Sequence, residues 1–330
     1  MKSLRSNANY AKTLNNTGKS NKPSVQQVVI SDAQSGQRLD NFLLSRLKGV
    51  PRSLVYRLVR SGEVRINKGR KRPDYRLRCG DVVRIPPVRT AVREQKALTR
   101  LGSDWLDEHI VYEDEHLLVL NKPSGMAVHG GSGISLGVIE TIRQLRPQAP
   151  YLELVHRLDR ETSGCLLIAK RRSALTALHT QLRERKTDKR YLALVSRPWK
   201  GKARRVEAAL TKNQTRSGER IARVSEAGSE AISRFVPKTV YAESTLVEIE
   251  LKTGRTHQAR VHAAHINHPI AGDEKYGDKG FNRALRNLGL KRLFLHAASI
   301  TIEHPKTNQK IKLEAALPDE LQMVLSQLAK

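Results

Sequence analysis

The residues best suited to chemistry lie in one short run, His156-Arg157-Leu158-Asp159-Arg160-Glu161-Thr162-Ser163-Gly164. One carboxylate, Asp159, stands between two guanidiniums, Arg157 and Arg160. Nearby positive charge favours the ionised form of a carboxylate. A nucleophile or base can be kept charged in this way beside a polyanionic substrate. A Thr-Ser-Gly turn is expected to follow, and the apolar run Cys165 to Ala169 reads as a buried strand. An isolated Arg-x-Asp-Arg suits a structural ion pair equally well, so the rest of the chain has to decide.

The chain has 330 residues and a formal charge of +28. Such an excess points to nucleic acid, or less directly to an anionic membrane. Residues 1–100 hold 23 Lys and Arg against 6 Asp and Glu, leaving 37 against 26 of the total 60 and 32 for the remainder. The N-terminal third is therefore a concentrated electrostatic handle on a less basic body. The two cysteines, Cys79 and Cys165, are isolated from one another and are read as small buried apolar residues rather than as a disulfide or a thiolate metal site. No apolar run approaches the ~20 residues that span a bilayer, and there is no signal-peptide core. The cytosol is the expected compartment.

The chain divides into a basic, disordered tail at 1–30, a small module at 37–86, a polar linker at 87–104 and a larger domain at 105–330. In the module, Leu39, Phe42, Leu43 and Leu47 form one helical stripe. A second helix starts at Pro51 and Ser53, with Ser53 as its cap, an apolar face of Leu54, Val55, Leu58 and Val59, and Gly62 as a left-handed stop. Strands are expected at 64–66 and 82–85. Arg52, Arg57 and Arg60 fall outside the apolar stripe, and Lys71 and Arg72 lie in the connection between the strands. With few aromatics, this face suits phosphate and shape recognition of RNA better than base stacking. In the larger domain, strand patterns at 117–120, 166–169, 191–195, 246–251 and 293–302 alternate irregularly with helical ones at 134–145, 173–184, 257–266 and 319–328. That irregularity favours an α+β fold over a doubly wound sheet.

Residues 38–43 (R-L-D-N-F-L), 53–67 and 77–83 resemble the S4-like RNA-binding module that a small-subunit ribosomal protein shares with several RNA-modifying enzymes. The larger domain resembles the pseudouridine synthases that modify large-subunit ribosomal RNA. The resemblance rests on N-K-P-S-G-M-A-V-H-G at 121–130, H-R-L-D-R-E-T-S-G at 156–164, K-R-Y-L-A-L-V at 189–195, T-G-R-T-H-Q-A-R-V-H at 253–262, H-P-I at 268–270 and R-L-F-L-H-A at 292–297. It implies two helices with short strands in front of a mixed-sheet catalytic domain. It also implies roles: Asp159 as the catalytic aspartate, Tyr191 stacking on the target uracil, Arg260 pairing with the aspartate, Arg157 entering the RNA helix where the base leaves, and Leu295 packing against the base. Arg52, Arg57, Arg60, Lys71 and Arg72 become RNA contacts. Glu161 stands where an aspartate is common and Ala259 where a larger aliphatic is usual. The expected substrate is large-subunit ribosomal RNA, with no cofactor, no metal, no membrane, no protein partner and a monomeric state.

Isomerising uridine exchanges a carbon–nitrogen glycosidic bond for a carbon–carbon one, without redox change. One carboxylate then suffices where glycoside hydrolases use a pair. The uracil must leave its stack, at a cost of a few kcal/mol, and rotate in a dry pocket with an aromatic wall. Asp159 has two routes open, attack on the anomeric carbon or removal of a sugar proton. His257, His262, His265 and His268 have no Asp, Glu or Cys among them between Arg255 and Gly272 and no HExxH spacing, so a metal site is not expected. A non-catalytic ribosome-assembly factor would require a broken Asp159, Tyr191 and Arg260 set, which is intact here. A base-excising glycosidase would leave an abasic site.

Overall fold

The computed structural model describes residues 24–330 apart from 33, 48–49, 89–102, 131–135 and 215–219. The chain separates into two compact units, residues 1–94 and 95–330.

The first unit begins earlier than expected. Residues 1–23 of the expected tail lie outside the described residues, but Gln26–Val29 forms strand β1 and Ile30 is buried in the core. The tail's boundary at 30 is therefore corrected: the apolar Val28 and Ile30 give this segment something to bury, and β1 finds a partner strand further along the chain. Helices α1 (Leu39–Arg46) and α2 (Arg52–Arg60) follow, then β2 (Arg65–Ile66) and β3 (Val82–Ile85). The sheet order is β1-β3-β2. Leu39, Phe42, Leu43, Val55, Leu58 and Val59 close over it, as their helical spacing requires. Ser53 does not cap α2. Pro51 occupies the cap position with φ −58°, and Ser53 lies exposed inside the first turn. Gly62 takes φ +76° just past the helix end. Cys79 is exposed beside the Gly80 turn, contrary to its reading as a buried residue, because it falls outside the strand's apolar alternation; Cys165 is buried.

In the second unit, α3 (Ser103–His109) takes up the last two residues of the expected linker, and linker residues 89–102 lie outside the described residues. Then come β4 (Ile110–Glu113), β5 (Leu117–Lys122), α4 (Val138–Leu145), β6 (Glu153–Leu154), β7 (Ser163–Ala169), α5 (Arg172–Arg183), β8 (Asp188–Ser196) and β9 (Arg204–Glu207). They are followed by β10 (Leu210–Gln214), β11 (Arg220–Val224), β12 (Ile232–Val240), β13 (Ser244–Leu251), α6 (Gln258–His265), α7 (Lys279–Asn287), β14 (Leu295–Glu303), β15 (Lys310–Glu314) and α8 (Asp319–Leu328). A ten-stranded sheet runs β4-β5-β7-β14-β8-β13-β12-β9, with β15 on β14 and β6 on β7. The β7–β14 pair is parallel and its other pairs are antiparallel, so the sheet is mixed and the fold α+β. The β10–β11 hairpin stands apart from it.

β7 is buried on both faces, which is why it reads as an unbroken apolar run. Its side chains alternate: Leu166 and Ile168 face α4, and Cys165, Leu167 and Ala169 face α5. The turn before it is Arg160–Glu161, and the expected Thr-Ser-Gly turn is instead the entry to the strand. Gly164 adopts φ +111°, and a Cβ there would stand 2.3 Å from the Ala297 carbonyl oxygen. Only glycine lets β7 approach β14 this closely. No helix among the described residues is long and apolar enough to cross a membrane.

Candidate active site

An open cleft lies where the loop before β7 meets the start of α6. Its walls bring together Arg157, Asp159, Tyr191, Arg260 and Leu295, five residues that are far apart in sequence. Asp159 comes from the loop and Tyr191 from β8. Arg260 is in the first turn of α6, and Leu295 opens β14. Leu158, Leu251 and Leu295 make the cleft partly apolar. The 253–258 loop is locked from within by the buried Gln258. Its amide donates to the Ile232 carbonyl and to Ser233 Oγ, and its Oε1 accepts from Thr253 Oγ1 and the Arg255 N–H.

The two guanidiniums beside Asp159 in sequence are not its partners in space. Arg157 is exposed, while Arg160 donates to the Gly125 carbonyl and pairs with Glu161. The positive charge at Asp159 comes instead from Arg260 on α6, with Nη1 3.8 Å from Oδ2, and the cap residue His257 brings Nε2 to 3.9 Å from the same oxygen. Arg260 is itself buried, with a side chain 6% exposed, and its main partner is Asp273: Nε donates to Oδ2 at 2.7 Å and Nη2 to Oδ1 at 2.6 Å. Burial opposes the Arg260 charge, but the Asp273 bonds outweigh it and hold its pKa above the ordinary value. Burial pushes the Tyr191 hydroxyl pKa up, and the charge on Asp159 pushes it further, so the ring presents a neutral face.

The loop carrying Asp159 is anchored from below. Lys122, at the end of β5, is fully buried and donates to the carbonyls of Pro123, Met126 and Arg160. Burial pulls its pKa down to about 7, and nearby Arg292 adds to this, while Glu161 and Asp159 oppose it. Ser124 Oγ donates to the Glu161 carbonyl, and Gly125 N–H to that of Arg160. The N-K-P-S-G run thus acts as a cradle for the Asp159 loop. The histidines have separate duties. His262 bridges Ser233 and the Ala208 carbonyl, His268 bonds the Ser196 carbonyl and stacks on Trp199, and His265 is exposed. Their nitrogens do not converge on a point.

The two units match known families in the same order along the chain. The family model described as RNA pseudouridylate synthase matches residues 116–265, and the S4 domain model matches 37–83. The chain is 54% identical over 307 residues to the ribosomal large subunit pseudouridine synthase C of Pasteurella multocida (strain Pm70), covering 92% of this chain and 94% of the relative. It is 53% identical over 316 residues to the protein of that name from Escherichia coli (strain K12), covering 94% and 98%. This chain belongs to the RNA pseudouridine synthase family. Its reaction is an intramolecular isomerisation, and its N-terminal unit is an S4 domain. Among solved structures, human RNA pseudouridylate synthase domain containing 4 aligns with TM-score 0.58 and 26% identity, over 68% of this chain and 95% of its own.

For a pseudouridine synthase the sequence undervalued three residues. Asp273 lies one position beyond the acid-free interval that holds the four histidines. The signal that could have found it is that Arg260, once buried, needs a carboxylate, and Asp273 is the first acid after it. His257, in a histidine-rich run, suggests a metal ligand by its type, but it stands three positions before Arg260 and faces Asp159. Tyr276 gave no signal. Of the two departures from the family pattern, Ala259 packs in the core behind α6, and Glu161 is exposed at the loop tip. Arg52, Arg57, Arg60, Lys71 and Arg72 belong to the S4 unit and not to the cleft. All five are exposed, and Lys71 lies over the Tyr75 ring at 5.0 Å.

Proposed function

We propose that Asp159 is the single reacting carboxylate of an enzyme that converts several uridines of large-subunit ribosomal RNA to pseudouridine. The observation that carries this reading is an aspartate set in a cleft between two basic side chains, with a tyrosine ring and a leucine on the same walls. Relatives more than 50% identical along nearly their whole length, named for the large ribosomal subunit, support the choice of RNA. In this reading a uridine leaves its stack and its uracil enters the cleft against Tyr191 and Leu295. The bond from N1 to the anomeric carbon breaks, the ring turns, ring carbon 5 bonds to the anomeric carbon, the proton on carbon 5 departs and N1 gains one. Both routes, attack on the anomeric carbon and removal of a sugar proton, start from the Asp159 carboxylate. Arg157, exposed at the rim, enters the gap left by the base. The exposed arginines and lysines of the S4 unit hold phosphates, a positioning contact that carries no sequence information.

A reader with aromatic residues at only 4% and a strong positive charge recognises RNA by shape and backbone. It therefore tolerates different flanking bases. The test is release of tritium from uridine labelled at carbon 5, using unmodified large-subunit, small-subunit and transfer RNA in parallel. Asp159→Asn should abolish release while keeping the fold and RNA affinity. Wild-type release by that variant would overturn the role of Asp159, and preferential modification of transfer RNA would overturn the substrate.

A further inference from the structure

Both basic groups that face Asp159 are held by one residue outside the recognised motifs. Tyr276 follows Asp273 in the turn between α6 and α7. Its hydroxyl lies 2.8 Å from His257 Nδ1, and its ring lies under the Arg260 guanidinium, 5.1 Å from the centroid. The Ala222 N–H, on β11, donates to the same hydroxyl at 2.9 Å. The Tyr276 N–H is bound to Asp273 Oδ1, so the carboxylate that clamps Arg260 also sets this ring. The phenol has a single proton. With Ala222 already donating to the oxygen, the arrangement that leaves the half-buried O–H with a protein partner directs that proton to His257 Nδ1. The imidazole then carries its own proton on Nε2, the nitrogen facing Asp159. His257 is held for this with φ +56°, a left-handed conformation uncommon for a side-chain-bearing residue and one that the surrounding structure must enforce.

We propose that Tyr276 is a positioning residue for the reacting carboxylate, acting through His257 on one side and Arg260 on the other. This rests on the reading of Asp159 given above. The hydroxyl fixes which imidazole nitrogen donates, and the ring keeps the guanidinium in its plane. The β10–β11 hairpin joins the site through the Ala222 N–H and through Leu210 and Ala222, which pack with Val261 and Tyr276.

The test compares full-length Tyr276→Phe, His257→Gln, His257→Asn and Asp159→Asn by single-turnover tritium release from carbon-5-labelled RNA across pH. Tyr276→Phe keeps the ring and loses only the hydroxyl. It should lower the single-turnover rate roughly tenfold, the effect of one lost orienting hydrogen bond, with the half-saturating RNA concentration unchanged. Gln places its donor near the Nε2 position and should retain most of the rate. Asn suits the left-handed backbone and still meets Tyr276, but falls short of Asp159, so it should lose activity. The groups facing His257 are Asp159, Asp273, Arg260, Lys275 and Tyr276. Burial keeps its pKa below the ordinary value, so the imidazole is neutral at pH 7. A neutral Nδ1 accepts from Tyr276 and a protonated one cannot, so the Phe variant should move the acid limb of the profile to higher pH. A Phe variant with wild-type rate and limb would overturn the proposal. So would a rate loss matched by lowered melting temperature with the limb unmoved, since that is a purely structural effect. An active Asp159→Asn would instead overturn the reading beneath it, whatever Tyr276 does.

Discussion

Replacing Asp273 by Asn should damage the enzyme twice. The side chain of Asp273 is fully buried and that of Arg260 is 6% exposed, and the two are joined by hydrogen bonds of 2.6 and 2.7 Å. Removing the charge on one side leaves a guanidinium in a dry site with half a partner. Breaking a buried pair in this way costs about 3–5 kcal/mol. At about 2–4 °C per kcal/mol for a domain of this size, the melting temperature should fall by roughly 6–20 °C. Arg260 would also swing towards the other nearby carboxylate, Asp159, now 3.8 Å from Nη1. Tritium release at a temperature where the variant is folded should therefore be reduced as well. Thermal denaturation and single-turnover release measure the two effects separately. The double variant Asp273→Leu with Arg260→Met should melt above Asp273→Asn, because it buries no orphaned charge, yet be inactive. If Asp273→Asn melts within ~2 °C of the parent at unchanged rate, the pair does not carry the weight assigned to it.

Gly164→Ala should destabilise by well over the ~1 kcal/mol of an ordinary glycine replacement, because a Cβ there meets the Ala297 carbonyl at 2.3 Å and φ is +111°; chemical denaturation reads the loss. Arg57→Gln and Arg60→Gln, both exposed on α2, should each lower the log–log salt slope of RNA binding by roughly 0.7–0.9 if each holds one phosphate, with the tritium-release rate at saturating RNA unchanged. Burial opposes the charge on Asp114, but the His116 and Leu117 N–H groups, Tyr112 and His304 outweigh it and bring its pKa to about 2. Its contribution to stability is then complete above the unfolded value of about 3.9 and is lost as pH falls towards about 2. Melting curves of Asp114→Asn should be lower at neutral pH and show a weaker acid dependence than the parent.

The strands with strong apolar runs, β5, β7, β8 and β13, were legible because burial on one or both faces leaves a composition that nothing else explains. β9 and β12 were not, since their exposed faces carry Arg204, Arg205, Arg234 and Lys238, and alternation diluted by charge reads as loop. α7 was missed for the same reason: Leu285 and Asn282 are buried on an otherwise polar helix that Asp278 caps through the Phe281 N–H. At the site, residue types were legible but pairings were not. The sequence places Arg157 and Arg160 beside Asp159, whereas partners in a loop are chosen by where the chain turns. Three of the groups around Asp159 come from 98 or more positions away.

On the reading of Asp159 as the reacting carboxylate, the arrangement of Arg260 leaves that carboxylate available. A bidentate arginine clamped on Asp159 would occupy the lone pairs that, on that reading, attack or accept a proton. Here the fork, Nε and Nη2, is taken by Asp273, and only Nη1 turns to Asp159, at ion-pair rather than hydrogen-bond distance. His257 stands off similarly at 3.9 Å. Among the described residues, neither Asp159 side-chain oxygen accepts a hydrogen bond closer than these contacts. The field of the Arg260 guanidinium reaches the carboxylate, and its oxygens stay open to the cleft. Asp273 therefore acts as a decoy partner: it satisfies the arginine so that the arginine need not satisfy Asp159. A substituted site in which the arginine is free to choose should bind RNA as before and react slowly, the combination that distinguishes lost chemistry from lost recognition.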